Sequence, residues 1–285
     1  MPSVLKIGAH LTTTGGLDKA VIRAEEMGLN CLQFFGASPR QWRVKEQDPE
    51  NIEKFKEARK SSGLLEVYLH AAYLVNLASP DPETAAKSEE NLAAHFKIAQ
   101  KLEANGLIFH IGSGGELPRP EAIKRVVSGI KRILDKISGP AKIILENSAG
   151  GGQKLGSFPE EIKEILEGIN SKRAAVCIDT AHALESGLIM DYTEKAVEGL
   201  MKRWERSVGW ANTPVIHAND SKTAPDSHHD QHANIGKGYI GMAGFKNMAK
   251  VKALADKAWI MEVPGFDGNG PDKKNADLLK SCFKH

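Results

Sequence analysis

No apolar stretch in this chain approaches the roughly 20 residues needed to cross a bilayer, so no membrane partner is expected. Cysteine is scarce. Cys31, Cys177 and Cys282 show no paired spacing, which leaves no disulfide framework to propose. Two of them sit in apolar strand-like runs, as suits buried free thiols in a reducing compartment. The opening Met1-Pro-Ser-Val-Leu-Lys6 lacks the charged-then-apolar layout of a signal peptide. A soluble cytoplasmic protein is the expectation. Charge of one sign is also nearly absent: the net value of +2 does not declare a nucleic-acid partner, because phosphate contact depends on locally placed Lys and Arg. There is no solenoid-period repeat and no low-complexity tract.

What is present is a regular alternation. At 285 residues and 41% hydrophobic the chain can bury a sizeable core, and length alone allows one or two domains. Strands are expected at Leu5–His10, Cys31–Phe35, Val67–His70, Leu107–His110, Lys142–Asn147, Ala174–Asp179, Pro214–Asn219 and Trp259–Val263. Helical patterns lie between them at 16–28, 49–62, 84–104, 120–137, 159–169, 192–208 and 242–256, and 272–282 closes the chain. In the first of these, Leu17, Ala20, Val21, Ala24 and Met27 share one face at the 3.6-residue period. Pro159 followed by Glu160 and Glu161 suits a helix start. Eight β–α pairs with no composition break indicate one α/β domain over residues 1–285, a single (β/α)8 TIM barrel. The strands are mostly unbroken apolar runs, as expected when both faces are covered.

The strand endings carry the chemistry. Successive apolar runs stop on His70, His110, Glu146, Asp179, His217 and Glu262, and His182, Asp230 and His232 follow in the loops. In barrels of this type the active site lies at the C-terminal strand ends. The nine residues therefore describe a ring of metal donors at one mouth. Histidine and carboxylate without cysteine suit Zn or Mn, not an iron–sulfur cluster. At about four donors per zinc, with carboxylates able to bridge, nine suit two or three ions. Paired metals are a recurring device for phosphoester hydrolysis. A lone histidine at a strand end is more often a hydrogen-bonded core residue than a ligand. A carboxylate ending Lys142-Ile-Ile-Leu-Glu146 is harder to dismiss, because a buried charge needs a partner. Nine independent structural explanations are implausible together.

On these residues the chain resembles the endonuclease IV family, the zinc-dependent abasic-site (AP) endonucleases. The resemblance runs from Ile7-Gly-Ala-His10 to the Glu262 strand. It is most specific at 70–78, 146–150, 176–182, 217–222 and 230–238. It implies three Zn2+ ions, with Mn2+ in part, and hydrolysis on the 5′ side of an abasic site in double-stranded DNA. The implied products are a 3′-hydroxyl and a 5′-deoxyribose phosphate, and blocked 3′ ends would be trimmed by the same chemistry. By motif, His70 and His110 would hold one ion, with Glu146 bridging to a second. Asp179, His217 and Glu262 would complete the second, and His182, Asp230 and His232 would hold the third. Glu146 and Glu262 are the residues assigned to catalysis. The sequence departs from the family pattern at Leu69, Ala71, Ala72, Ile111, Asp226, Ser227 and Gln231, none of which removes a donor.

The loop Pro39-Arg40-Gln41-Trp42-Arg43 follows the second strand on the same barrel end. By resemblance, Arg40, Gln41 and Trp42, with Tyr73 and Leu74, contact DNA and stabilise a flipped-out abasic nucleotide. The plainer reading buries Trp42 against a helix and solvates the arginines. Glycines at 112–115 and 150–152 read as turns, or as small residues that let a phosphate backbone approach. His10 matches no family ligand and is expected in a supporting or structural place; His95, His228, His229 and His285 are expected to be solvated or local. A monomer is expected. The competing readings are a metal-dependent TIM-barrel sugar isomerase or epimerase, and a damaged-DNA-binding protein with impaired catalysis.

Overall fold

A computed structural model describes residues 4–284. His285 and the first three residues of the N-terminal segment lie outside them. The chain alternates β1 (Lys6–His10), α1 (Leu17–Glu26), β2 (Cys31–Phe35), α2 (Pro49–Ser61), β3 (Glu66–His70), α3 (Pro82–Lys101), β4 (Gly106–His110) and α4 (Arg119–Lys136). It continues through β5 (Lys142–Glu146), α5 (Pro159–Ile169), β6 (Ala174–Asp179), α6 (Thr180–Glu185), α7 (Glu194–Ser207) and β7 (Val215–His217). The final part contains β8 (Asp220–Ser221), β9 (His232–Ala233), α8 (Gly241–Ala249), β10 (Ala258–Met261) and α9 (Lys273–Ser281). Eight parallel strands close in the order β1-β10-β7-β6-β5-β4-β3-β2, the expected TIM barrel. No described helix is long and apolar enough to cross a membrane.

Local chemistry sets the helix starts. Asp48 accepts from Glu50 N ahead of Pro49, and Asp81 accepts from Thr84 N ahead of Pro82. Each carboxylate satisfies an orphan backbone donor, while the proline supplies a first-turn φ and has no N–H to lose. The two-residue strand period then sorts side chains into two cores. Leu32, Leu69, Phe109, Leu145, Val176 and Trp259 join the layer beneath the helices. Cys31, Tyr68, Ile108, Ile144, Cys177, Val215 and Ile260 form a separate apolar cluster, the filling of the barrel interior. There is no room for more at Gly8, where a Cβ would stand 2.6 Å from the Cys31 carbonyl oxygen.

The last barrel strand ends at Met261, short of the expected Val263 and just before Glu262, and three further features differ from the expectation. The seventh strand ends at His217 instead of Asn219 because Thr180 Oγ1 donates toward the His217 and Asn219 carbonyls, at 3.2 and 2.7 Å, as the chain turns away. It then forms the antiparallel β8–β9 pair, with Ser221 opposite His232. Asp179 accepts from His182 N at 2.9 Å and so caps a six-residue helix, α6, placed directly on the strand end. The helix expected over 242–256 stops at Ala249. Val251 takes an extended conformation, and a separate 3-10 turn follows at Lys252–Leu254.

Candidate metal centre

The barrel interior and the candidate donors lie on one continuous face. His70 is two residues beyond Tyr68, His110 beyond Ile108, Glu146 beyond Ile144, Asp179 beyond Cys177, His217 beyond Val215 and Glu262 beyond Ile260; each of the earlier residues belongs to the interior cluster. A period of two keeps the side chain on the same face, so a strand that points inward deeper in the barrel points inward again at its mouth. Register aligns them further: His110 is level with Glu146, and Asp179 with His217.

Glu146 stands at the middle and is almost fully buried. One oxygen, Oε2, lies 3.1 Å from His70 Nε2 and 3.2 Å from His110 Nε2. The other, Oε1, lies 3.0 Å from His217 Nδ1, which is also 3.1 Å from Glu262 Oε2 and 3.8 Å from Asp179 Oδ2. The remaining donors lie to one side. Asp230 Oδ1 is 3.2 Å from His182 Nε2 and 3.6 Å from His232 Nε2, and Asp179 Oδ2 is 3.8 Å from His232 Nε2. Sets with donor atoms mutually within 4.8 Å are His70–His110–Glu146, Glu146–Asp179–His217–Glu262, Asp179–His182–His232 and His182–Glu185–Asp230. The first two sets are the groupings the motifs implied. The third region is broader than expected, because Asp179 reaches it and Glu185 joins it.

Hydrogen bonds to backbone carbonyls and to Gln33 define which ring nitrogen is left free for a ligand. His70 Nδ1 donates to the Ala71 carbonyl at 2.9 Å, His182 Nδ1 to the Asn147 carbonyl at 2.8 Å, and His232 Nδ1 to the Glu262 carbonyl at 3.4 Å. His217 is reversed, with Nε2 donating to Gln33 Oε1 at 2.9 Å. A carbonyl oxygen can only accept, so in the neutral ring the opposite nitrogen carries a lone pair directed at the carboxylates. This is the arrangement that metal-binding histidines require. The buried Nε2 atoms of His182 and His232 lie near Asp230 Oδ1 but make no aligned hydrogen bond among the described residues. The donors therefore fit Zn2+ or Mn2+ in type, burial and orientation.

Electrostatics also favour a cation. Burial pulls the His182 and His217 imidazoles down, yet the surrounding carboxylates, Asp179 and Asp230 for His182 and Glu262 and Glu146 for His217, raise both well above the usual histidine value. Burial pushes Glu146 and Glu262 up, but the neighbouring histidines outweigh it and hold both well below the usual carboxylate range. The centre attracts positive charge strongly.

Supporting residues surround the donors. Gln33 Nε2 donates to Glu262 Oε1 at 2.6 Å, and His10 Nδ1 lies 3.1 Å from the same oxygen. Asn219 Nδ2 donates to Asp179 Oδ2 at 2.6 Å, while Asn147 Oδ1 accepts from Asp179 N at 2.6 Å. His10 is thus in the supporting place expected of it. Gln33, Asn147, Asn219 and Glu185 were not anticipated. A single amide in the apolar run Cys31-Leu-Gln33-Phe-Phe35, in phase with the interior residue Cys31, was the available signal for Gln33.

The donors open into a cleft of about 490 Å³ lined also by His10, Phe35 and Tyr73. Tyr73 is 63% exposed at its rim, edge-on to Phe35 at 5.3 Å. Arg40 and Gln41 are exposed, and Trp42 and Leu74 are half-buried. Asn91 Nδ2 holds their loop by donating to the Gln41 carbonyl at 3.2 Å and the Trp42 carbonyl at 2.8 Å. Gly112, Gly115, Gly150, Gly151 and Gly152 all have positive φ, so turn geometry accounts for them. His228 and His229 are exposed, as expected. His95 is local and not solvated: it is fully buried, with Nδ1 donating to the Asn91 carbonyl of its own helix at 3.0 Å. It faces inward because α3 packs that side on the barrel, near Gly36.

A closed eight-stranded barrel with this many convergent donors at its mouth defines a metal-binding TIM-barrel enzyme. The family model described as xylose isomerase-like TIM barrel matches residues 21–282. A probable endonuclease 4 of Halothermothrix orenii is 34% identical over 277 residues, covering 97% of this chain and 99% of that one. The crystal structure of endonuclease IV from Thermus thermophilus matches with a TM-score of 0.86 at 32% identity, covering 97% of this chain and 98% of that one. A D-tagatose 3-epimerase-like protein matches with a TM-score of 0.70 at 21% identity, covering 98% and 97%, a likeness of fold alone. The chain belongs to the endonuclease IV family, the metal-dependent AP endonucleases.

Proposed function

We propose that this protein cuts double-stranded DNA on the 5′ side of abasic sites, leaving a 3′-hydroxyl and a 5′-deoxyribose phosphate, and trims blocked 3′ ends. The observation that carries the reading is Glu146, buried with His70 and His110 on one oxygen and His217 on the other. His70, His110 and Glu146 would hold one zinc, Glu146, Asp179, His217 and Glu262 a second, and His182, Asp230 and His232 a third, with Mn2+ able to replace part of the set. Such ions supply an activated water and neutralise charge on the phosphate and on the leaving oxygen.

The chain's own residues do the positioning. Glu146 and Glu262, assigned to catalysis, converge on His217, whose Nδ1 lies 3.0 Å from Glu146 Oε1 and 3.1 Å from Glu262 Oε2. Gln33 and Asn219 hold the carboxylates in place. Exposed Tyr73 and Arg40, together with Gln41, Trp42 and Leu74, would meet the duplex at the cleft rim. Loss of the base at an abasic site lowers the cost of turning the nucleotide into that cleft. We further assign residues 1–285 to one AP endonuclease domain that acts as a monomer. Three buried free thiols support a reducing, cytoplasmic setting.

Product analysis tests this reading. A duplex with one tetrahydrofuran abasic analogue should yield an upstream fragment that a DNA polymerase extends without further processing. A fragment that cannot be extended would overturn it. The sugar isomerase reading rests on fold likeness alone and leaves the His182, Asp230 and His232 region without a task.

A further inference from the structure

Glu185 has no place in the reading above. It closes α6, three residues after His182, which itself follows Asp179 by three. This Asp179-x-x-His182-x-x-Glu185 spacing places acidic and imidazole donors along one side of the short helix. Glu185 is fully buried. Its Oε1 accepts from Ser221 Oγ at 2.7 Å and from Thr223 Oγ1 at 3.3 Å, and lies 3.4 Å from Gln231 N. Its Oε2 is shut away from water and has no hydrogen-bond partner among the described residues. Donor atoms of Glu185, His182 and Asp230 lie within 4.8 Å of one another.

A carboxyl with one oxygen anchored and the other buried and unpaired either takes a proton or must be met by positive charge. His182 cannot supply that charge while it serves as a ligand, because a ligating imidazole is neutral. A divalent cation beside His182 and Asp230 can. The anchors on Oε1 come from β8 and from the loop carrying Asp230, so the carboxylate is oriented by the segment that delivers the neighbouring donor.

We propose that Glu185 is a fourth protein donor to the third metal ion, beside His182, Asp230 and His232. This rests on the trinuclear reading. Its consequence is a third position that carries more negative charge and holds its ion more firmly than three donors would.

The test compares zinc retention of the zinc-loaded full chain, E185Q and E185D after dialysis against graded chelator, counted by mass spectrometry. Thermal melting of each metal-stripped protein runs in parallel. E185Q should lose one zinc of three at a chelator level about ten-fold lower than the wild type, with the other two unaffected. E185D keeps the charge but withdraws the carboxylate, and should lose the same ion, which keeps the proposal testable should E185Q not fold. Three zinc ions retained equally by all folded variants would overturn the proposal and leave the trinuclear centre standing. A lowered metal-free melting temperature with unchanged retention would assign Glu185 a structural role only, and also overturns it. A wild type that binds no more than two zinc ions would overturn the trinuclear reading, and this inference with it.

Discussion

Gln33 and Glu262 meet across the barrel mouth, the amide nitrogen donating to Glu262 Oε1 at 2.6 Å while the amide oxygen accepts from His217 Nε2 at 2.9 Å. One side chain thus orients a candidate carboxylate donor and a candidate imidazole donor together. Replacing Gln33 with leucine removes both bonds and keeps much of the volume. We expect a loss of about 10- to 100-fold in zinc affinity or turnover, the usual effect of removing a partner behind a ligand. Chelator titration followed by steady-state kinetics measures it. Unchanged values would show that packing alone holds the two donors.

Arg40 tests the DNA-facing loop. It is exposed on the β2–α2 connection and belongs to none of the donor sets, so its removal should leave metal binding untouched. Arg40→Ala should weaken binding to abasic duplex and reduce the salt slope of log K by about one contact. Binding titrations across a salt series provide the slope. If the slope is unchanged, Arg40 makes no phosphate contact.

Asn91 tests the same loop through its anchor. Its amide spans the Gln41 and Trp42 carbonyls from α3. Asn91→Ala should raise KM for abasic duplex several-fold, while hydrolysis of a small phosphodiester too short to reach the loop stays near wild type. An equal loss on both substrates would place the effect in the barrel instead.

The architecture was largely readable from the chain, and for a physical reason. Buried parallel strands are apolar on both faces, so a polar residue ending the run at His110 or Glu146 stands out against Leu107-Ile-Phe or Ile143-Ile-Leu. The same logic failed where signals were short. Helix α6 has six residues and starts directly after Asp179, the last residue of β6, so no separate helical period exists to detect. The β8–β9 pair has two residues per strand and depends on Asp220, whose carboxylate accepts from Gly238 N and from Ile240 N, far along the chain. His95 resembled a solvated helix residue because Asn91 and Ser88 on its buried side are also polar. Gln33 shows as a lone amide in an apolar run, but nothing local to it names Glu262 as its partner.

His95 has a pH consequence. Burial lowers its pKa below the ordinary histidine value, so the unfolded chain binds its proton more readily than the folded one. The sign follows from linkage: stability is unaffected well above about pH 6.5 and is lost as pH falls from about 6.5 toward the lower folded value. His95→Gln should narrow the drop in melting temperature between about pH 7.5 and about pH 5.5, both proteins being compared zinc-loaded. Parallel drops would show that His95 does not titrate on unfolding.

The central claim is that Glu146 joins the first two donor sets into one phosphodiester-cleaving centre. The most direct measurement is incision of a duplex carrying a single tetrahydrofuran abasic analogue, by metal-replete wild type and Glu146→Gln, with and without moderate EDTA. The account predicts a cut on the 5′ side of the analogue by the wild type that persists in EDTA, and a loss of about 10²- to 10³-fold in the variant, as for removal of a principal electrostatic group from an active site. No incision by metal-replete wild type, or equal incision by Glu146→Gln, would contradict it.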